Sequence, residues 1–334
     1  MRRFIFWVGM LLLLLTGCRV DYPASVLHPA GPVARAQLKL VALSFFIMAG
    51  IATVVLGLLL YSALRFRQKP GDDEDPPPSP EVTWVEVLWT AIPLSLLIIM
   101  AIPTYNTTFY LAKPPTEDPL PVEVVAHQFW WEFRYPDLGI ITANELHIPA
   151  GRPVEMKVRS ADVVHSFWIP RLGGKLDAAP GRTNRFWLQA DEPGSYPGVC
   201  AQLCGAGHAQ MHLVVHAQTA ADFEKWVQAM KAPYGIPTDP LAREGEAVFS
   251  QSCQGCHAIG GSPFKGRVGP DLTAFYLRTT LGAGLVKNTP ENLTRWIEDP
   301  LAMKYGVLMP SGKRDLNLSD GQIQALVAFL EGNR

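Results

Sequence analysis

The sequence predicts a multidomain membrane protein, in which a two-helix transmembrane hairpin is followed by an all-β domain and then an all-α domain. Two long apolar runs near the N-terminus predict the hairpin, short β-rich runs predict the second part, and helical periodicity predicts the third. The length of 334 residues allows about two domains besides the membrane segment. The formal net charge of -1 gives no reason to expect a nucleic-acid partner.

Residues 1–18 have the layout of a bacterial lipoprotein signal peptide. Arg2 and Arg3 precede an apolar run, and the small-residue pair Thr16-Gly17 stands directly before Cys18. We expect lipidated Cys18 to be the first residue of the mature protein. The alternative is an uncleaved signal anchor with a free thiol.

Residues 36–112 are predicted to form the transmembrane hairpin. The runs Leu40–Leu64 and Val87–Leu111 are each long enough to cross a bilayer core of about 30 Å. Basic residues follow the first run at once, which places that end in the cytoplasm. Both later domains are therefore expected on the outer face of a bacterial cytoplasmic membrane. The basic residues are Arg65, Arg67 and Lys69.

Residues 120–231 read as the β domain, because short β-rich runs alternate with turn residues, as in an antiparallel sandwich or barrel. A helix over Asp222–Lys231 is expected to close it, with Thr219 as N-cap. Residues 232–240 are a proline-rich linker. The β-rich runs are Val122–Phe133, Val154–Arg159, Val163–Ile169, Thr183–Leu188 and Leu213–Ala217.

Residues 241–334 form a last domain with almost no strand signal. Ser319 and Gln322 have capping-box spacing before the final helix. The pattern therefore indicates an all-α domain. Its helical stretches are Arg243–Ser250, Pro290–Glu298 and Ser319–Glu331.

Two thiols, an imidazole and a thioether lie within one loop: Cys200, Cys204, His208 and Met211. His165 is the best candidate for a further ligand. A disulfide and a structural zinc site are the alternatives, but a thioether favours copper over zinc. Two thiolates can each bridge two copper ions, and such a site carries electrons.

The motifs of this region resemble subunit II of haem–copper cytochrome c oxidases, the CuA subunit. They are His165-Ser-Phe-Trp-Ile-Pro, the segment Gly174–Arg182 and C-x3-C-G-x2-H-x2-M, and the resemblance covers residues 36–231. It implies a cupredoxin-like Greek-key barrel with a dinuclear copper centre. The implied ligands are His165, Cys200, the carbonyl of Gln202, Cys204, His208 and Met211.

Gln202 departs from the family, which usually has Glu at this position. That carboxylate also reaches a magnesium ion shared with subunit I. The copper contact uses the backbone and survives the change, whereas an amide is a weaker donor for a hard cation. We therefore expect a complete copper centre with a weakened magnesium contact.

Aromatic residues are implied where electrons enter the copper domain of this family. The family's surface Trp aligns with Phe129, and Trp130 and Trp131 follow it. Core packing is the alternative role for such rings, so all three are candidates.

Glu86 lies at the cytoplasmic mouth of the second apolar run. A hydrated interfacial carboxylate is one interpretation. The resemblance implies the other, because Glu86 matches the family glutamate at the entrance of a proton channel.

Cys253-Gln-Gly-Cys256-His257 is a motif for covalent haem attachment, with His257 as one axial ligand of the iron. A redox-active dithiol is the alternative, but the βαβ context that it requires is missing. The second axial ligand is expected to be Met309, with Met303 as the second choice.

The last domain resembles a class I cytochrome c. That resemblance implies that the carbonyl of Pro270 supports His257. It also implies that Gly245 lets the first and last helices cross closely near Phe329 and Leu330.

The order of these parts resembles the fused subunit II of caa-type oxidases. Electrons would pass from an external donor, such as a cytochrome c or a membrane-bound complex, through haem c and CuA to subunit I. Subunit I and other oxidase subunits are the implied partners, and oxygen reduction coupled to proton translocation would occur in subunit I. The alternatives are the CuA subunit of a nitric oxide reductase, a periplasmic copper delivery protein and a thiol oxidoreductase. A quinol oxidase subunit is disfavoured because all the copper ligands are present.

Overall fold

The computed structural model describes residues 22–67, 71 and 82–332. The predicted signal segment, including Cys18, lies outside these residues. The described chain divides into a unit of the two apolar helices and a unit that holds the two later domains. The predicted fold class is confirmed.

Among the residues that the structure describes, two helices are long and apolar enough to cross a membrane: α1, Pro32–Arg65, and α2, Thr83–Ala112. Their mean hydropathy reaches 2.5 and 2.2. Both are longer than the apolar runs, and α2 continues through Pro93 and Pro103. Glu86 lies in the first turn of α2.

The β domain is a sandwich of two five-stranded sheets, with strand orders β3-β2-β1-β5-β8 and β4-β10-β9-β6-β7. Val122, Val124 and Ala126 alternate inward from the first sheet, and Leu213 and Val215 do so from the second, so the core lies between the sheets. The strands are β1 Leu120–His127, β2 Trp130–Tyr135, β3 Ile140–Ala143, β4 Glu145–Pro149, β5 Val154–Ser160, β6 His165–Trp168, β7 Leu176–Ala178, β8 Asn184–Leu188, β9 Gly194–Cys200 and β10 His212–Gln218.

The run Val122–Phe133 is not one strand, as its composition suggested, but the antiparallel hairpin of β1 and β2. The turn falls at Gln128 and Phe129. Both flanks are apolar and aromatic, so no Gly, Pro or Asn marks the reversal in the sequence. The turn brings Phe129 to the end of the sandwich that holds the copper loop, residues 200–211.

Helix α3, Ala220–Met230, closes the β domain, and the side chain of Thr219 accepts a hydrogen bond from the backbone N–H of Asp222, as expected for its N-cap. The segment 231–239 leads to the last domain, whose first helix already begins at Pro240. Tyr234 in that segment donates from its hydroxyl to Glu246 Oε1 at 2.6 Å. The connection is therefore packed against the last domain.

The last domain consists mainly of α4, Pro240–Ser252, α5, Pro290–Glu298, the single turn α6, Pro300–Met303, and α7, Asp320–Gly332. A Cβ built at Gly245 in α4 would lie 1.9 Å from the carbonyl oxygen of Ala325 in α7, so the predicted close crossing is confirmed. An alanine there would cost about 1–3 kcal/mol by overpacking. Ser319 and Gln322 form the expected reciprocal capping box.

A short hairpin interrupts this helical domain and was missed in the sequence. Strands β11, Thr280–Leu281, and β12, Val286–Lys287, pair antiparallel. The turn uses positive φ at Gly282, Ala283 and Gly284. We call residues 278–288 the docking hairpin, because they contact the β domain.

Candidate copper and haem sites

The structure brings the predicted copper ligands together at one end of the sandwich. Cys200 Sγ lies 3.9 Å from Cys204 Sγ and 3.9 Å from Nδ1 of His165. Cys204 Sγ lies 3.6 Å from Nδ1 of His208 and 3.9 Å from Sδ of Met211. The two thiols are free rather than joined. The site therefore offers two sulfurs flanked by one imidazole each.

Three strands position these side chains. His165 begins β6, Cys200 ends β9, and Met211 stands directly before β10. Phe167 pairs with Cys200 across β6 and β9, and the N–H of Cys200 donates to the Met211 carbonyl at 2.9 Å. The ends of paired strands thus hold the loop, which limits ligand movement.

Asp162 orients His165, a role that ligand spacing alone did not reveal. Its Oδ1 lies 2.7 Å from Nε2 of His165, and its Oδ2 accepts from the Gln128 N–H at 2.7 Å. The carboxylate fixes the ring so that Nδ1 points towards Cys200. The sequence signal was available: an acidic residue three positions before the histidine.

The two thiols differ in their acidity. Burial opposes ionisation of Cys200, but hydrogen bonds from His165 and neighbouring backbone lower its pKa to about 6. Burial and the adjacent Cys200 thiolate raise the pKa of Cys204 to about 12. Two thiolates at this distance repel each other, so the pair favours a cation between them.

Gln202 contributes its backbone to the same cluster. The Cys200 thiol lies 3.2 Å from the Gln202 carbonyl oxygen, as a carbonyl ligand requires. The Gln202 residue is exposed, and Leu203 beside it is 76% exposed. The neutral side chain lies at the surface of the copper loop.

The haem motif follows α4 directly. Nδ1 of His257 lies 2.7 Å from the Pro270 carbonyl oxygen, which is the predicted support. Gly269 stands against this ring, because a Cβ there would lie 2.6 Å from His257 Cε1. The ring orientation is therefore fixed by the backbone of residues 269 and 270, and Nε2 is left available.

A cavity of about 230 Å³ lies beside His257, and Met309 lines it whereas Met303 does not. Its wall is largely apolar, and Val268 and Leu308 in it are each 75% exposed. A flat apolar group held by His257 and Met309 would cover these side chains. The residues present therefore fit a haem.

Arg278 is a half-buried cation on the wall of this cavity, and its Nε atom is buried. It donates to the carbonyl oxygen of Asp271, but its Nε has no hydrogen-bond partner among the described residues. Burial lowers its pKa. Such a group suits an anionic substituent of a ligand in the cavity.

The candidate aromatic residues separate into two groups. Phe129 and Trp130 line the haem cavity, whereas Trp131 is fully buried in the core of the sandwich. A Cβ built at Gly207 would lie 2.4 Å from Cδ2 of Phe129, so this ring lies against the copper loop. Phe129 thus forms a wall between the copper loop and the haem cavity.

Lys304 and Glu145 join the two domains, although no sequence motif marks either residue. Nζ of Lys304 is buried and donates to the Phe129 carbonyl at 2.8 Å and to the Gly282 carbonyl at 2.9 Å. Oε1 of Glu145 accepts from both N–H and hydroxyl groups of Thr279 and Thr280 at 2.7–2.9 Å. The docking hairpin is thereby fastened to the β domain.

A second contact between the two domains involves the copper loop itself. The N–H of Tyr305 donates to Oε1 of Gln210 at 2.9 Å. Gly306 has a φ of +74°, and a Cβ there would lie 2.7 Å from that of Ala206. Both the φ and the close approach require glycine.

A soft-ligand loop on a β-sandwich and a C-x2-C-H cavity on a helical domain, in a chain with two membrane-spanning helices, define a class. It is the class of membrane-anchored electron-transfer proteins that use a metal site and a haem.

The chain belongs to the cytochrome c oxidase subunit II family and carries a C-terminal cytochrome c domain. The family model described as cytochrome c oxidase subunit II, transmembrane domain, matches residues 25–107, and that of its periplasmic domain matches residues 139–218. The cytochrome c model matches residues 242–333. The chain is thus a subunit of an oxidoreductase of the respiratory chain. The families imply copper in the β domain and haem in the last domain.

Similar proteins cover almost the whole chain. Cytochrome c oxidase subunit 2 of Alkalihalophilus pseudofirmus is 40% identical over 332 residues, which cover 97% of this chain and 94% of that protein. Cytochrome c oxidase subunit 2 of Bacillus sp. (strain PS3) is 40% identical over 340 residues, with coverage of 96% and 94%. Quinol oxidase subunit 2 of Bacillus cereus is 38% identical over 226 residues, with coverage of 66% and 77%.

Proposed function

We propose that this chain is subunit II of a caa-type cytochrome c oxidase, which passes electrons from an external donor through haem c and CuA to subunit I. The observation that carries the proposal is the shared wall at Phe129, with the copper loop on one side and the haem cavity on the other. A cytochrome c or a membrane-bound complex would serve as donor. Oxygen reduction and proton translocation would then take place in subunit I.

The copper centre would be held by His165, Cys200, the Gln202 carbonyl, Cys204, His208 and Met211. When bound, a dinuclear copper centre stores one electron shared between its two ions. The strand ends and Asp162 hold the ligand side chains in place, and the buried Cys200, Cys204 and Met211 keep water away. Low movement of the ligands means little reorganisation when the charge changes.

The haem would be attached to Cys253 and Cys256, with His257 and Met309 as axial ligands. Pro270 holds the His257 ring through Nδ1, and Met309 lies on the same cavity. Arg278 would pair with a propionate, which supplies the partner that its Nε otherwise lacks. Phe129 and Trp130 line the same cavity and would contact the haem.

Electrons would leave the haem domain through Phe129. Its ring reaches from the cavity to Gly207, and Lys304 holds its carbonyl. Trp131 lies in the sandwich core, with its ring 6.1 Å from that of His165, and fits a packing role better. The path therefore runs through packed atoms rather than through water.

Membrane topology and lipidation complete the proposal. The outer domains would face the periplasmic or extracellular side, because the basic residues after α1 mark the cytoplasmic end. Cys18 would carry the lipid. A magnesium ion shared with subunit I would bind weakly, because Gln202 offers a neutral amide.

Glu86 would begin a proton path into subunit I. Glu86→Gln in the assembled oxidase should slow oxygen turnover several-fold while the copper and haem spectra stay unchanged. Steady-state oxygen uptake of the purified complex measures this, and Glu117→Gln, in the outer segment after α2, is a matched control. Unaltered turnover would refute the role of Glu86.

The decisive experiment is gas consumption by the purified native complex. A reduced cytochrome c donor should drive oxygen uptake, and uptake should cease when Cys200 is replaced by Ser. Nitric oxide loss without oxygen uptake would instead assign the chain to a nitric oxide reductase.

A periplasmic copper delivery protein is a second candidate, favoured only by the exposed edge of the copper loop at Gln202 and Leu203. Delivery requires a single exchangeable copper ion. Electron paramagnetic resonance of the full chain should show a mixed-valence pair that a chelator removes slowly. A mononuclear signal that exchanges at once would support delivery.

A further inference from the structure

A second cluster of metal-binding side chains lies in the β domain, away from the copper loop. One ring nitrogen each of His147 and His216 and one carboxylate oxygen of Glu145 lie within 4.8 Å of one another. Glu145 and His147 are almost fully buried. No residue of this cluster takes part in the electron path proposed above.

The strand register explains why these three side chains meet. Glu145 and His147 are two residues apart on β4, so they point to the same face of the sheet. β10 runs parallel beside it, and His216 is the direct partner of His147. The cluster therefore follows from the backbone and does not depend on a mobile loop.

In each of the two histidines, Nδ1 is hydrogen-bonded to a neighbouring polar side chain. Nδ1 of His147 lies 3.2 Å from Oε1 of Gln218, and Nδ1 of His216 lies 3.0 Å from Oγ of Ser195. The His147 ring also stacks on Trp226, with centroids 4.5 Å apart and planes at 10°. These contacts leave Nε2 of each ring for a ligand. Metal-binding histidines are usually held through the other nitrogen in this way.

The two carboxylate oxygens of Glu145 have different contacts. Oε1 takes the short hydrogen bonds from Thr279 and Thr280, whereas Oε2 accepts a longer one from the Thr279 N–H at 3.1 Å and lies 3.4 Å from Nε2 of His216. Zinc bonds of about 2.0–2.2 Å place tetrahedral ligands roughly 3.4 Å apart. Oε2 and Nε2 of His216 therefore already have the required separation. The ring nitrogen of His147 lies within 4.8 Å of both and would have to move closer to complete the set.

We propose that Glu145, His147 and His216 form a site for a divalent cation of the zinc class. Two imidazoles and one carboxylate without a thiolate suit Zn²⁺ better than Cu⁺ or Ca²⁺. The Thr279 hydroxyl, 3.4 Å from Nε2 of His216, or a water takes the fourth position. Arg278 is an opposing charge nearby, but it is engaged with the Asp271 carbonyl and the wall of the haem cavity.

Zinc retention tests the proposal in a parent protein whose copper loop has lost its two thiols. The parent is the full chain with Cys200→Ser and Cys204→Ser, so the result does not depend on the copper assignment. After incubation with ZnCl₂ and gel filtration, the parent should keep one zinc per chain by elemental mass spectrometry. Adding His147→Gln and His216→Gln should abolish this zinc, whereas His212→Gln on the same strand should not.

Two further variants distinguish loss of the zinc site from misfolding of the chain. The single variant His216→Gln changes a ring at the edge of the cluster, and Ser195→Ala changes only its support. Each should weaken zinc binding about tenfold or more, with circular dichroism and the haem spectrum unchanged. A parent that keeps no zinc, or a His147→Gln/His216→Gln chain that keeps as much as the parent, overturns the proposal.

Discussion

The copper loop and the haem cavity differ in how far the protein alone forms the site. In the copper loop, Cys200, Cys204 and Met211 are buried and already lie together at the ends of paired strands. In the haem domain, Val268 and Leu308 line an open cavity and are each 75% exposed. The first site is built by its scaffold and then filled. In the second, the haem that the family implies would cover these side chains and supply part of the hydrophobic core.

Removing each cofactor should therefore have unequal effects. Cys253→Ser with Cys256→Ser should leave a haem domain that unfolds at low temperature, because its cavity stays uncovered. Cys200→Ser with Cys204→Ser should abolish copper binding but leave both domains folded. Thermal unfolding followed by circular dichroism, with metal and haem analysis, measures both. Equal losses of stability would contradict the comparison.

The methionine ligand should dominate the properties of the haem. Met309→Leu should remove the sulfur–iron charge-transfer band and lower the reduction potential, because Met/His ligation raises it. Met303→Leu is the matched control and should change neither, since Met303 does not line the cavity. Redox titration of the full chain distinguishes them, and the opposite result would make Met303 the ligand.

Asp162→Asn should weaken copper binding by about 10–100-fold, because an amide holds the His165 ring less firmly than a carboxylate. The barrel should remain folded, since the change conserves shape. Copper competition titration measures the affinity. Asp137→Asn, on an exposed turn, is the control, and equal affinity in both variants would remove Asp162 from the copper site.

Lys304→Met should slow electron transfer from haem to copper by about tenfold. The variant loses two hydrogen bonds of a charged donor, each worth roughly 1.5–3 kcal/mol, although relief of the buried charge offsets part of this. Laser-flash reduction of the haem measures the rate. Lys287→Met, at an exposed position of the docking hairpin, should leave it unchanged.

His165 and Met309 lie outside the two ligand motifs. Local spacing predicted the other copper and haem ligands because they lie within motifs whose chemistry depends on residue type. Cys200 to Met211 and Cys253 to His257 are of this kind. Glu145 and Lys304 could not be predicted, since their partners lie 134 and 175 residues away in sequence. An acidic or basic residue without its partner is indistinguishable from a solvated surface group.

The prediction of secondary structure from the sequence was wrong where the turns lack the usual turn residues. The reversal at Gln128 and Phe129 lacks the common turn residues, so two strands read as one. The docking hairpin has strands of only two residues, which is too short for a pattern of period two. Yet both turns take part in the contact between the domains, because Lys304 donates to the carbonyl of Phe129 in one and of Gly282 in the other.

The short packed connection over residues 231–239 has a kinetic consequence. A domain tethered by so few residues meets its partner at an effective concentration on the order of millimolar, without any dependence on how much protein is present. Under the proposed function, reduction of the copper centre by the haem would therefore be a first-order step. A free electron carrier in solution would need to exceed that concentration to compete at Phe129, so carriers are expected to deliver their electrons to the haem domain instead.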